Sequence, residues 1–82
     1  MFFRKDLNEL EEIFGVRCIE TRGNRTGKIF KFRDYYLKLY DDPKQESTYI
    51  IEGYVYGEDV PFSVDHVKYR DIRKYAECIK KR

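Results

Sequence analysis

The hydrophobic repeat of this chain changes twice, and that double change limits the folds open to it. Between Val16 and Val64 apolar and polar residues alternate at the two-residue repeat of a β-strand, and β-branched and aromatic residues dominate. On either side the apolar spacing becomes three and four, the signature of an amphipathic helix. At 82 residues there is room for one small core, because a chain of this size buries roughly 60% of the surface its unfolded form exposes. The expected fold is α+β, a single domain over residues 1–82. A bent, mainly antiparallel five-stranded sheet or small barrel (16–64) should lie between an N-terminal helix (7–14) and a C-terminal helix (66–81).

Local signals place the elements. Asp6 is an N-cap carboxylate with Glu9 three positions on, so a helix begins at Leu7. Its Leu7, Leu10 and Phe14 share a face, Asn8, Glu11 and Glu12 turn to water, and Gly15 ends it. Residues 16–21 read as a first strand and 22–27 as a glycine-containing loop. Residues 28–33 form a second strand with Phe30 and Phe32 on one side and Ile29, Lys31 and Arg33 on the other. After a turn at Asp34, Tyr35, Leu37 and Leu39 oppose Tyr36, Lys38 and Tyr40. Residues 41–47 lack any apolar side chain and contain Pro43, which makes them an exposed loop. Residues 48–56 place Tyr49, Ile51 and Val55 on one face, with Gly53 marking a bulge or bend. A turn at 57–59 leads to a fifth strand over 60–64, which Pro61 assigns to an edge or to its first positions. In the tail, Tyr69, Ile72, Ala76 and Ile79 form the helical stripe.

Several function classes are poorly supported. The longest apolar stretches are two or three residues, far below the roughly 18 that cross a bilayer, so no membrane role is expected. No secretory signal is written at the amino terminus, which implies a cytoplasmic protein with Cys18 and Cys78 reduced. His66 is the only histidine, and adjacent Asp65 does not by itself build a base with its orienting partner. Neither cysteine lies in a CxxC pair or a glycine-flanked elbow, and two Cys and one His at these spacings match no zinc site. The expectation is a protein that is not an enzyme and uses no cofactor or metal.

Charge is more informative than composition. The formal net charge is only +2, yet residues 16–33 hold six basic and one acidic group, residues 34–66 two basic and eight acidic, and residues 67–82 seven basic and two acidic. Two basic segments around an acidic centre can fold into a bipolar surface that steers an anionic partner, or they can interleave and cancel. Arg22, Arg25 and Lys28 cluster around Gly23 and Gly27, whose backbone amides can approach an anion, and Lys31 and Arg33 project from the next strand. The Walker spacing is absent, since Gly23 to Gly27 is one residue short and Lys28 precedes Ile29. These five residues are candidate contacts to a nucleic-acid backbone.

The tyrosines are the second signal. Tyr36 and Tyr40 point away from Leu37 and Leu39, and Tyr54 and Tyr56 away from Ile51 and Val55, so pairing of the two strands makes one patch. Such a patch can stack bases, anchor a protein partner, or lie beneath the helices as ordinary core. With acidic Asp41 and Asp42 nearby, the set Tyr36, Tyr40, Asp41, Asp42, Tyr54 and Tyr56 is the candidate protein-binding surface.

Five short strands with an early basic glycine turn resemble a small SH3-like barrel, and the stretch from Arg22 through Gly23, Asn24, Arg25, Thr26 and Gly27 to Lys28 and Ile29 resembles the glycine turn of KOW-type domains. That resemblance implies binding of RNA, DNA or a protein segment through loops and one barrel face. The Tyr- and Lys-rich composition also resembles that of small bacteriophage-encoded proteins. The expected function is a binding module for nucleic acid. The alternative is a modulator, such as a phage-encoded inhibitor, that binds a host protein through the acidic, tyrosine-bearing middle.

Overall fold

The computed structural model describes residues 6–21 and 27–81. Helix α1 (Leu7–Phe14) starts as expected: the Asp6 carboxylate accepts a hydrogen bond from the Glu9 amide at 2.8 Å. It stops at Gly15, whose φ of 75° is the left-handed conformation that a side chain would strain. Strands β1 (Cys18–Thr21), β2 (Gly27–Lys31), β3 (Tyr35–Asp41), β4 (Thr48–Val55) and β5 (Ser63–Lys68) follow, then a 3₁₀ turn (Tyr69–Asp71) and helix α2 (Ile72–Lys80).

Each strand pairs antiparallel with the next, in the order β1-β2-β3-β4-β5. The fold is therefore α+β with one five-stranded antiparallel sheet. Of the two architectures the sequence allows, the open sheet is the one formed: β1 and β5 remain separate edges, and the sheet is not closed into a barrel.

Both helices cover one face of the sheet. Leu10, Ile13 and Phe14 of α1 and Ile72, Ala76 and Ile79 of α2 join Phe30, Leu37, Leu39, Tyr49 and Ile51 in one buried cluster. At its centre the rings of Phe14 and Phe30 lie 4.6 Å apart, tilted by 33°. Neither helix is long enough to persist alone, so packing into this cluster is what keeps both folded.

Three sequence expectations need correction. The fifth strand is not 60–64 but Ser63–Lys68. Pro61 has no N–H to offer a ladder, Val60 is 75% exposed, and Phe62 turns its ring over Gly53. An edge strand with little burial needs no strict apolar alternation, which is why residues 65–68, with Val67 their one apolar side chain, read as helix. The C-terminal helix accordingly starts at Ile72, not near residue 66, although Ile72, Ala76 and Ile79 are its buried stripe. Tyr69 stays outside the helix and packs its ring 4.5 Å from that of Tyr49. Glu11, expected to face water, instead accepts a hydrogen bond from the Cys18 amide at 2.9 Å and ties α1 to the outer edge of β1.

Candidate binding face

The register decides what the uncovered face carries. Lys31, Tyr36 and Tyr54 form one row across β2, β3 and β4. Ile19, Ile29, Lys38, Glu52 and Val64 form the next, and Tyr40, Ile50 and His66 a third. All alternate with the buried Phe30, Leu37, Leu39 and Ile51, so they point away from both helices.

On this face the tyrosines form a ladder. The Tyr36 and Tyr54 rings stack 5.2 Å apart at 11°, and Tyr56 lies 5.4 Å from Tyr36 at 41°. Lys38 holds its Nζ 4.9 Å from the Tyr54 ring centre, a cation–π contact. Tyr54 is thereby 8% exposed without any helix over it, whereas Tyr56 is 44% exposed. The Tyr56 hydroxyl donates to the Phe32 carbonyl at 2.6 Å, which pins the ring while leaving it accessible. Burial, and then the neighbouring Glu52 carboxylate, push the Tyr54 phenol up from its ordinary value and keep it neutral. Beside the ladder lies a shallow cleft of about 340 Å³ lined by Ile29, Lys31, Tyr36, Lys38 and Tyr56.

The acidic residues expected beside the tyrosines are largely engaged or turned away. Asp41 accepts the Tyr69 hydroxyl at 2.9 Å on the helix side of the sheet. Asp42 lies on the open side at its far end, accepting from the Lys44 amide at 2.8 Å and bonded to His66 Nδ1 at 2.9 Å. The Lys44 amide, followed by His66, holds the Asp42 carboxyl below the usual carboxylate range. Glu52 remains among the tyrosines and accepts a long hydrogen bond of 3.4 Å from Tyr54.

Of the five basic candidates, Lys31 joins this face. Arg22 and Arg25 lie outside the described residues. Lys28, three positions from Lys31, falls in the row of Glu20 and Leu39 on the helix side, and its charge acts on Cys18. Arg33 is exposed at the bend between β2 and β3. Lys31 and α2 therefore lie on opposite sides of the sheet, and the two basic segments do not meet through this residue. Tyr36, Tyr40, Tyr54 and Tyr56 share one face as strand pairing requires, and that face is not core beneath the helices. Lys38 and Ile29 are site residues that the sequence reading passed over, although the alternation already set Lys38 between Tyr36 and Tyr40.

The cysteine and the Asp65–His66 pair singled out by the sequence have defined surroundings. Burial pushes the Cys18 thiol up to about 11, with Lys28 lowering it and Glu11 and Glu20 raising it, so it is a poor nucleophile at neutral pH. Asp65, beside His66 in sequence, accepts instead from the Tyr75 hydroxyl at 3.1 Å. No group of His, Cys, Asp and Glu able to hold a metal ion occurs among the described residues. No helix among the described residues is long and apolar enough to cross a membrane. No protein-family model, curated protein or solved structure matches the chain.

Proposed function

We propose that this chain is a non-catalytic module that binds single-stranded nucleic acid on its open sheet face. The observation that carries the reading is the Tyr36–Tyr54–Tyr56 ladder with Lys31 and Lys38 beside it, on the side of the sheet away from both helices. Exposed aromatic rings stack bases irrespective of sequence, and neighbouring ammonium groups neutralise the phosphates between them. Tyr56 supplies the accessible ring, Tyr36 and Tyr54 back it, and Lys31 and Lys38 reach the backbone. Arg33, exposed at the bend after β2, adds a further positive charge.

The test is binding of an oligothymidylate at several salt concentrations, read by fluorescence anisotropy. Each phosphate neutralised on a single strand contributes about −0.7 to the slope of log affinity against log salt. Two lysines therefore make affinity fall about sevenfold between 50 and 200 mM salt. Absence of binding at low salt rejects the reading.

A second reading is favoured by Ile19 and Val64, which are 47% and 50% exposed on the same face. Half-exposed aliphatics around tyrosines also suit a protein partner, such as the target of an inhibitor. In that case Ile19→Ser weakens capture of the partner, and charge reversal at Lys31 has little effect.

A further inference from the structure

The two edges of the sheet are not equivalent. At β1 the outward amide of Cys18 is occupied by the Glu11 carboxylate, which blocks an incoming strand. At β5 the Tyr69 amide donates to the Ser47 carbonyl at 2.8 Å, which makes positions 47 and 69 a hydrogen-bonded pair. By antiparallel alternation and the register, Val64, His66 and Lys68 are then the non-hydrogen-bonded positions opposite β4, with their N–H and C=O groups directed outward. All three residues are exposed. A trench of about 550 Å³ runs along the helix side of this edge, and Val67, Lys68, Arg70, Lys74, Tyr75 and Ile79 contribute to its lining.

We infer that β5 is a docking edge for an extended acidic peptide segment of a partner protein, which adds as a sixth strand. The backbone groups of Val64, His66 and Lys68 supply the ladder, and the trench receives alternate side chains. Charge selects the occupant. The trench lining holds three cations, Lys68, Arg70 and Lys74, against two carboxylates, Asp65 and Asp71; Asp71 lies 4.0 Å from Arg70 and Asp65 accepts from Tyr75, while Lys68 and Lys74 have no carboxylate within ion-pair distance among the described residues. Val67, Tyr75 and Ile79 provide an apolar floor. This surface is separate from the tyrosine ladder, and its occupancy does not depend on nucleic-acid binding.

The experiment titrates the isotope-labelled full chain with a blocked octapeptide of alternating glutamate and valine, followed by amide NMR and hydrogen exchange. The Val64, His66 and Lys68 amides gain at least tenfold protection, and Lys74→Glu, an exposed change that leaves the spectrum folded, weakens the peptide at least fivefold. A peptide N-methylated at the amides facing β5 no longer binds, and one with lysine in place of glutamate binds at least tenfold more weakly. Equal binding of the methylated peptide, or no protection at these three amides at millimolar peptide, overturns the inference. So does protection of the same amides by an oligonucleotide, or by self-association of the chain measured in the ultracentrifuge.

Discussion

The Tyr56 hydroxyl reaches across the end of the sheet to the Phe32 carbonyl at 2.6 Å, tying the turn after β4 to the bend after β2. A ring fixed at its tip and backed by Tyr36 has little conformational freedom left to lose on binding, so more of its contact area becomes affinity. Removing the ring by Tyr56→Ala should cost oligonucleotide affinity about 1–3 kcal/mol, as for other base-stacking aromatics. Tyr56→Phe keeps the ring and loses only the tether, so its loss should be a fraction of that. Equal losses for the two variants would place the effect in the hydroxyl instead.

The face assignment separates lysines that are close in sequence. Lys31→Gln and Lys38→Gln should each lower the magnitude of the salt slope by about 0.7, because each removes one phosphate contact. Lys28→Gln, on the helix side, should leave slope and affinity unchanged. Anisotropy titrations of the three variants check this, and a Lys28 effect as large as that of Lys31 would contradict it.

Gly53 shares a row with Leu37 and Ser63 on the helix side of the sheet, and a Cβ there would stand 2.7 Å from Phe62 Cζ and 2.8 Å from Ser63 Oγ. Gly53→Ala must displace the Phe62 ring, at about 1–3 kcal/mol of stability. In urea unfolding, Gly53→Ala should cost less in a Phe62→Ala background than alone, and strict additivity would show that the ring is not what excludes the methyl group.

The two thiols should react at different rates. With the Cys18 thiol raised to about 11, roughly one molecule in a thousand carries the thiolate at pH 8, and Cys78 is exposed on α2. Mass spectrometry after brief iodoacetamide treatment should find Cys78 modified at least ten times faster. Because the folded value lies above the ordinary 9.0, the neutral Cys18 thiol favours the folded state at neutral pH, and this contribution is lost as pH rises from 9 towards 11. Cys18→Ser should flatten that part of the stability profile.

Where a single face is buried, the sequence is easy to read. Leu10 and Phe14 in α1, Phe30 in β2, Leu37 and Leu39 in β3 and Ile72, Ala76 and Ile79 in α2 follow from periodicity, because each lies on the more apolar side of its element. The β5 segment escapes that logic. Val60, Phe62 and Val64 alternate as a strand should, but Pro61 breaks the ladder, and the real edge strand is mostly polar and largely exposed, with Val64 and Val67 three apart instead of alternating. The site was half legible. Alternation put Tyr36, Tyr40, Tyr54 and Tyr56 together, whereas grouping Lys28 with Lys31 ignored that residues three apart in a strand point to opposite faces. Separating Asp41 from Asp42 required knowing that Tyr69 and His66 would reach them from β5 and the turn after it.

Binding on the open sheet face is tested most directly by an amide and tyrosine-ring NMR titration of the full chain with an oligothymidylate. Ring-proton shifts should concentrate at Tyr56 and Tyr36, with backbone shifts at Lys31 and Lys38 and little change in α1 or α2. Shifts confined to the helices, or a spectrum unchanged at low salt, would contradict it.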